Sequence, residues 1–292
     1  MILSPQRLLL CLTPIVLAFS CMNGHATNCE KPTKLRFSLI PQGNVQRDVA
    51  ELQPLLEELR AALRIPVEVY TPHSYGAVIE GLVSGAIHIA RLGPASYVEA
   101  NRIDPQVTAF ASYAHKANAF TPAGAFYFSL LVVRAHSEIR DIASLRGKRL
   151  VLVDPESTSG ALIPKHVFAK TFGVRLETHF SQIGYTGSHD QSVNRVLEGQ
   201  ADAAFVGSTN LAAAVEDSGR SREVRVIWRS DPIPRDPFVY RGQLCDLYKQ
   251  KITNVFLGHE SVRKARLLSN LDATRFVPVT NESYQTLREI NN

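Results

Sequence analysis

Apolar and polar positions alternate between two periods along this chain, and the switches between them set its predicted elements. Leu35 to Pro41 (LRFSLIP) reads as a strand, and Val49 to Leu63 has the three-to-four spacing of an amphipathic helix. Val67 to Pro72 is a second strand. Residues 75–85 form a helix closed by Gly85, and residues 86–94 a third strand ending in a turn. The order βαβαβ predicts a parallel sheet covered by helices. The run Phe126 to Ala135 (FYFSLLVVRA) is aromatic and β-branched, and reads as one long strand crossing between two lobes.

The pattern then starts again. Residues 148–155 are a strand and residues 161–173 a helix, with Pro164 tolerable only in its first turn. Residues 177–187 read as strand and turn, residues 189–200 as a helix and Ala201 to Ser208 as a strand. Val224 to Pro234 is another strand, ending in a Pro-rich turn that returns the chain to the first lobe. The stretch from Leu244 to Ile290 is mainly helical, interrupted by extended FVPVTNESY. The fold class expected is α/β, a two-lobed clamshell with two crossover strands. Its lobes are residues 33–127 with 235–292, and residues 128–234.

The first residues change the picture of where this fold works. Arg7 precedes an apolar stretch from Leu8 to Phe19, long enough for a signal-peptide core and too short for a membrane span. Residues 1–26 are therefore expected to be a leader, cleaved after Ala26, with lipid anchoring at Cys21 as the alternative. The destination is the periplasm. Two cysteines, Cys29 and Cys245, lie beyond the leader, and an oxidising compartment predicts one disulfide between them; two unpaired thiols are the alternative.

Charge excludes more than it assigns. A formal net charge of +5 with no polybasic tract gives no sign of nucleic-acid binding. No zinc-type Cys/His spacing, GxSxG elbow or HExxH pair occurs, so neither a cofactor, a metal nor catalysis is expected. A secreted phosphoester hydrolase is the rival that these missing signatures disfavour.

Candidate chemistry sits where loops meet strand ends or helix starts. The loops hold Tyr75, Ser96 and Tyr97, Tyr127, the run Ser157-Thr158-Ser159-Gly160, and His189. In open α/β sheets such loops gather outside the carboxyl ends of the strands. The hydroxyl run has two readings: Ser and Thr cap helices, and a helix start with added hydroxyls also binds anions. For His189 and the tyrosines, local bonding and half-buried packing are equally good readings from spacing alone.

The stretches SYGAVIEGLVSGAIHIARLGPASYV, LRGKRLVLVDPESTSG, GYTGSHDQSVNRVLEGQADAAFVGS, IPRDPFVYRG and FVPVTNESY, in this order from about Leu35 to Ile290, resemble the periplasmic phosphonate, phosphite and phosphate binding proteins of ABC transporters. The resemblance implies a type II periplasmic-binding-protein fold that closes on its ligand by hinge bending. It further implies a monomer that takes a small oxyanion ligand to an ABC transporter permease. Ser157, Thr158 and Ser159 would then hold ligand oxygens, helped by Tyr75, Ser96, Tyr97, Tyr127, His189 and Ser208. One departure stands out. Where relatives carry an acidic residue after the DAA strand, this chain has Gly207 and Ser208, which argues against an aminoalkylphosphonate. The resemblance also admits an oxyanion-sensing role, arsenic species included, with a sensor histidine kinase as partner.

Overall fold

A computed structural model describes residues 29–291, so the predicted leader and Cys21 lie outside the described residues. The first sheet has six strands, in the order Ala273–Pro278, Thr108–His115, Phe238–Tyr240, Ile89–Arg91, Leu35–Leu39 and Val67–Tyr70. Leu35–Leu39 pairs in parallel with both of its neighbours, and the remaining pairs are antiparallel. The second sheet has five strands: Val224–Arg229, Ser129–Arg134, Ala203–Gly207, Arg149–Leu152 and Gln182–Tyr185. Helices cover both sheets, which is why their central strands are apolar on both faces. Among the described residues no helix is long and apolar enough to cross a membrane.

The long crossing strand is interrupted. Phe126–Tyr127 and Ser129–Arg134 are separate, and Val224–Arg229 is likewise separate from Ile233–Pro234. At the break, serine hydroxyls take the place of strand partners: Phe128 N–H donates to Ser208 Oγ at 3.0 Å and Ser129 N–H to Ser230 Oγ at 2.9 Å. The short pieces pair as an antiparallel ribbon, Tyr127 with Ile233 and Phe126 with Pro234. This ribbon links the lobes.

Other differences have local causes. The helix expected over Val49–Leu63 is two helices, Val45–Glu51 and Gln53–Leu63. Asn44 caps the first, and Pro54, which has no N–H to continue a ladder, sits in the first turn of the second. Residues 176–179 form a helical turn instead of strand, because Leu176 and Phe180, four apart, are both buried on one face. Thr108–His115 lacked a strand signal because its alanines and serine are poor strand formers, yet it is a buried inner strand.

Cys29 and Cys245 form a disulfide across 216 residues. Beside it Glu30 accepts from Arg241 Nη1 at 2.7 Å and lies 3.1 Å from His88 Nε2. Cys29 and Glu30 are thereby fixed to the first lobe.

Candidate functional site

The hydroxyl run follows the strand Arg149–Leu152 and opens a helical stretch of unusual width. Thr158–Leu162 and Pro164–Phe168 are π-helical turns, and Ala169–Phe172 is α-helical. Pro164 explains the widening. It cannot donate to Gly160 four residues back, and the Gly160 carbonyl instead accepts from Val153 N–H at 3.2 Å. A Cβ on Gly160 would lie 2.4 Å from Val153 Cγ2, so this close approach requires glycine. Ser157 Oγ caps the turn, accepting from Gly160 N–H at 3.1 Å.

Around this turn the structure gathers seven of the nine candidates, Ser96 among them. Ser157, Thr158, Ser159, Tyr75, Tyr127 and His189 are all buried. The Tyr75 hydroxyl approaches Ser157 without hydrogen-bond geometry and has no partner. Tyr127 lies beside Thr158 and Ser159. Burial, reinforced by Asp236, raises the pKa of both phenols, so they remain protonated donors. His189 Nδ1 accepts from Gly207 N–H at 3.1 Å, which leaves the proton on Nε2. Burial pulls its pKa down to about 3. The imidazole is therefore a neutral donor at neutral pH.

Ser96 at the turn, and Tyr97 and Ser208 outside it, have their hydroxyls engaged by other partners. Ser96 Oγ donates to the Glu156 carbonyl at 3.0 Å, and Tyr97 O–H donates to Asn281 at 3.1 Å while its ring packs edge-on against Tyr284. Ser208 Oγ accepts from Phe128 N–H and from Thr121 Oγ1, the latter at 2.6 Å, so it fastens the interlobe break and keeps only its own proton to offer.

Several of these bonds join the lobes. Ala95 N–H donates to Thr158 Oγ1 at 2.8 Å, His189 N–H to the Gln42 carbonyl at 3.0 Å, and Arg235 Nη1 to Thr209 Oγ1 at 2.6 Å. The two lobes are thus closed upon one another. Spacing did not single out Asp236, Arg235 or Arg91. The available signal was a charged residue in an apolar context, Arg91 ending AIHIAR and Arg235-Asp236 inside IPRDPF. Asp236 is 3% exposed and accepts from Gln42 Nε2 at 2.6 Å.

The profile of one protein family, described as ABC transporter, phosphonate, periplasmic substrate-binding protein, matches residues 37–284. This chain belongs to that family. It is 30% identical over 242 residues to the phosphonates-binding periplasmic protein of Escherichia coli K12, a match covering 80% of this chain and 68% of that protein. It is 26% identical over 278 residues to the phosphate-import protein PhnD of Mycolicibacterium smegmatis, covering 89% of this chain and 85% of that one. Among solved structures, a binding-protein component of an ABC phosphonate transporter from Pseudomonas aeruginosa superposes with a TM-score of 0.80 at 24% identity, covering 90% of this chain and 86% of that one. PhnD1 from Prochlorococcus marinus in complex with methylphosphonate gives 0.78 at 21%, covering 89% and 98%. The fold is accordingly the type II periplasmic-binding-protein clamshell.

Gly207 also matters sterically. A Cβ at 207 would lie 2.5 Å from Asn210 Oδ1 and 3.1 Å from Ser159 Oγ, so any side chain there presses on the hydroxyl run. Gly207→Asp is expected to weaken oxyanion binding at least tenfold, about 1.4 kcal/mol, by pressing a side chain on Asn210 and Ser159 and displacing the hydroxyl run. Calorimetry checks it; unchanged affinity would mean that this surface does not face the ligand.

The depressed pKa of His189 gives a pH prediction. The unfolded imidazole takes up a proton near pH 6.5 and the folded one only near 3. Its contribution to stability is therefore complete above about pH 6.5 and is lost as pH falls toward 3, roughly 3 kcal/mol between pH 7 and 4. Denaturant midpoints measured across this window should fall with pH, and His189→Gln should flatten that slope.

Proposed function

We propose that the cleft captures a small phosphorus oxyanion, a phosphonate, phosphite or phosphate, and delivers it to the permease of an ABC importer. Ser157, Thr158, Ser159, Tyr75, Tyr127 and His189 are the ligand-binding residues of this reading, and Asp236 is the acceptor for a proton on the ligand. One observation carries it. A buried run of three hydroxyls at the start of a helical turn faces two phenols, with a neutral imidazole held at Gly207 beside Ser159, all in their proton-donating forms. The names of the relatives, a phosphonates-binding protein and a phosphate-import protein, support transport over signalling. The moving bodies are residues 33–127 with 235–292 and residues 128–234, hinged at the ribbon, and the protein acts as a monomer.

Thermal shifts test the reading on protein freed of phosphate. Phosphate, phosphite and methylphosphonate are compared with sulfate, arsenate and arsenite. A ligand at 100 times its Kd adds about 2.7 kcal/mol of stability, a plain rise in melting temperature. A rise with at least one phosphorus species supports the proposal. A rise confined to arsenic species or sulfate overturns it.

A further inference from the structure

Two helices of the first lobe leave an apolar strip open to solvent. In Tyr75–Ser84, Gly76, Ile79 and Val83 recur at three and four residues and line one side, with Glu80 next to them. In Pro94–Ile103, Glu99 and Ile103 are four apart and do the same. Together they line a groove of about 340 Å³, with Ile79, Val83 and Ile103 as its apolar part and Glu80, Glu99 and Glu156 as its charges. Ile103 is 49% exposed, and a Cβ on Gly76 would meet no atom within 4 Å, so there is room for a partner's side chain.

Glu156 comes from the second lobe, one residue before the hydroxyl run. The closed seam brings it here: Ser96 Oγ, on the same helix as Glu99, donates to the Glu156 carbonyl at 3.0 Å, and Ala95 N–H donates to Thr158 Oγ1 at 2.8 Å. The groove is therefore complete only while the lobes are shut. Its charge is one-sided. Glu99 is answered by Arg102, which donates to its two oxygens at 2.8 and 2.7 Å, whereas Glu80 and Glu156 form no ion pair among the described residues. Burial, and after it the nearby Glu99 and Asp154, raise the pKa of Glu156. A cation set at this rim would relieve that crowding.

We propose that this groove is the surface by which the importer's permease recognises the closed, loaded protein. A periplasmic segment of the permease seats an apolar side chain on Ile79, Val83 and Ile103 and sets lysine or arginine against Glu80 and Glu156. This rests on the transport reading above and names where the partner binds. An apolar centre with a charged rim is the make-up of a protein interface, and complementary rim charges choose the partner and speed its encounter. Other occupants fit worse. An anionic lipid surface is repelled by the glutamates, and a second copy related by a two-fold axis would bring the same glutamates against them. Because closure completes the groove, ligand and permease each raise the protein's affinity for the other. Opening carries Glu156 away, so the emptied protein leaves.

Biolayer interferometry against the importer's permease in lipid nanodiscs tests the assignment. The disulfide-intact protein is used both freed of ligand and loaded with the phosphorus oxyanion that raises its melting temperature. Loaded protein should bind the permease at least tenfold tighter than ligand-free protein. Glu80→Lys combined with Ile103→Ser should weaken binding of the loaded form at least tenfold and leave oxyanion affinity within about twofold by calorimetry, which also shows that the variant is folded. Glu177→Lys, an exposed charge reversal outside the groove, should change neither. Full permease affinity in the double variant, an equal loss with Glu177→Lys, or equal binding of loaded and ligand-free protein overturns the groove assignment and leaves the transport reading standing. A dimer in sedimentation that the double change dissolves gives the groove to a second copy and overturns it likewise. If the loaded, unaltered protein does not bind the permease at all, the transport reading beneath it falls too.

Discussion

Ser157→Ala combined with Thr158→Ala is expected to weaken phosphorus-oxyanion binding by roughly a hundredfold or more, since two hydrogen bonds to a charged group contribute about 1.5–3 kcal/mol each. The loss has a second component. Thr158 Oγ1 accepts from Ala95 N–H across the cleft and Ser157 Oγ accepts from Gly160 N–H, so the double change also removes an interlobe bond and a cap. The cap alone is worth about 1 kcal/mol of stability. Calorimetry and thermal unfolding separate the two components. Affinity that survives while stability falls would make the hydroxyl run a cap and nothing more.

Removing the disulfide has the largest expected effect on stability. A bond closing 216 residues restricts the unfolded chain strongly, and a loss of about 2–4 kcal/mol is expected for Cys29→Ser with Cys245→Ser. For a chain of this size that corresponds to a melting temperature lower by roughly 5–15 °C. The bridge touches none of the residues around the hydroxyl turn, so affinity measured well below melting should stay within about twofold. A melting temperature unchanged by the double serine variant would show that the Glu30 contacts to His88 and Arg241 hold the segment without the bond.

The parts of this fold that the sequence disclosed are those where one periodicity dominates. Leu35–Leu39 alternates apolar and polar residues, Ala203–Gly207 is a short apolar run between Asp202 and Ser208, and His189–Leu197 repeats its buried positions at helical spacing. Thr108–His115 escaped because burial between two other strands, not residue preference, makes it a strand. The broken crossover escaped for a different reason. Ser208 and Ser230 intercept backbone donors of Phe128 and Ser129 from 80 and 101 residues away, and nothing local records that.

The site divides in the same way. Ser157, Thr158 and Ser159 announce themselves by clustering, and the family resemblance supplied Tyr75, Tyr127 and His189. Tyr97 lies beside Ser96 in sequence, yet the turn of the helix Pro94–Ile103 carries its hydroxyl to Asn281. Asp236, which raises the pKa of both phenols, comes from the stretch after Ile233–Pro234, and nothing in its neighbours records that it will lie beside Tyr75 and Tyr127.

The interlobe ribbon is two residues wide on each strand, and one of those residues, Pro234, has no N–H to donate. Bending it disturbs little pairing, so the connection itself sets a low barrier to opening. How long a captured ligand stays is then governed by the seam, where Thr158, His189 and Arg235 each hold a partner on the facing lobe. A docking partner that pries at those bonds would speed release without touching the ligand. Dwell time and affinity could thus be tuned separately in one protein.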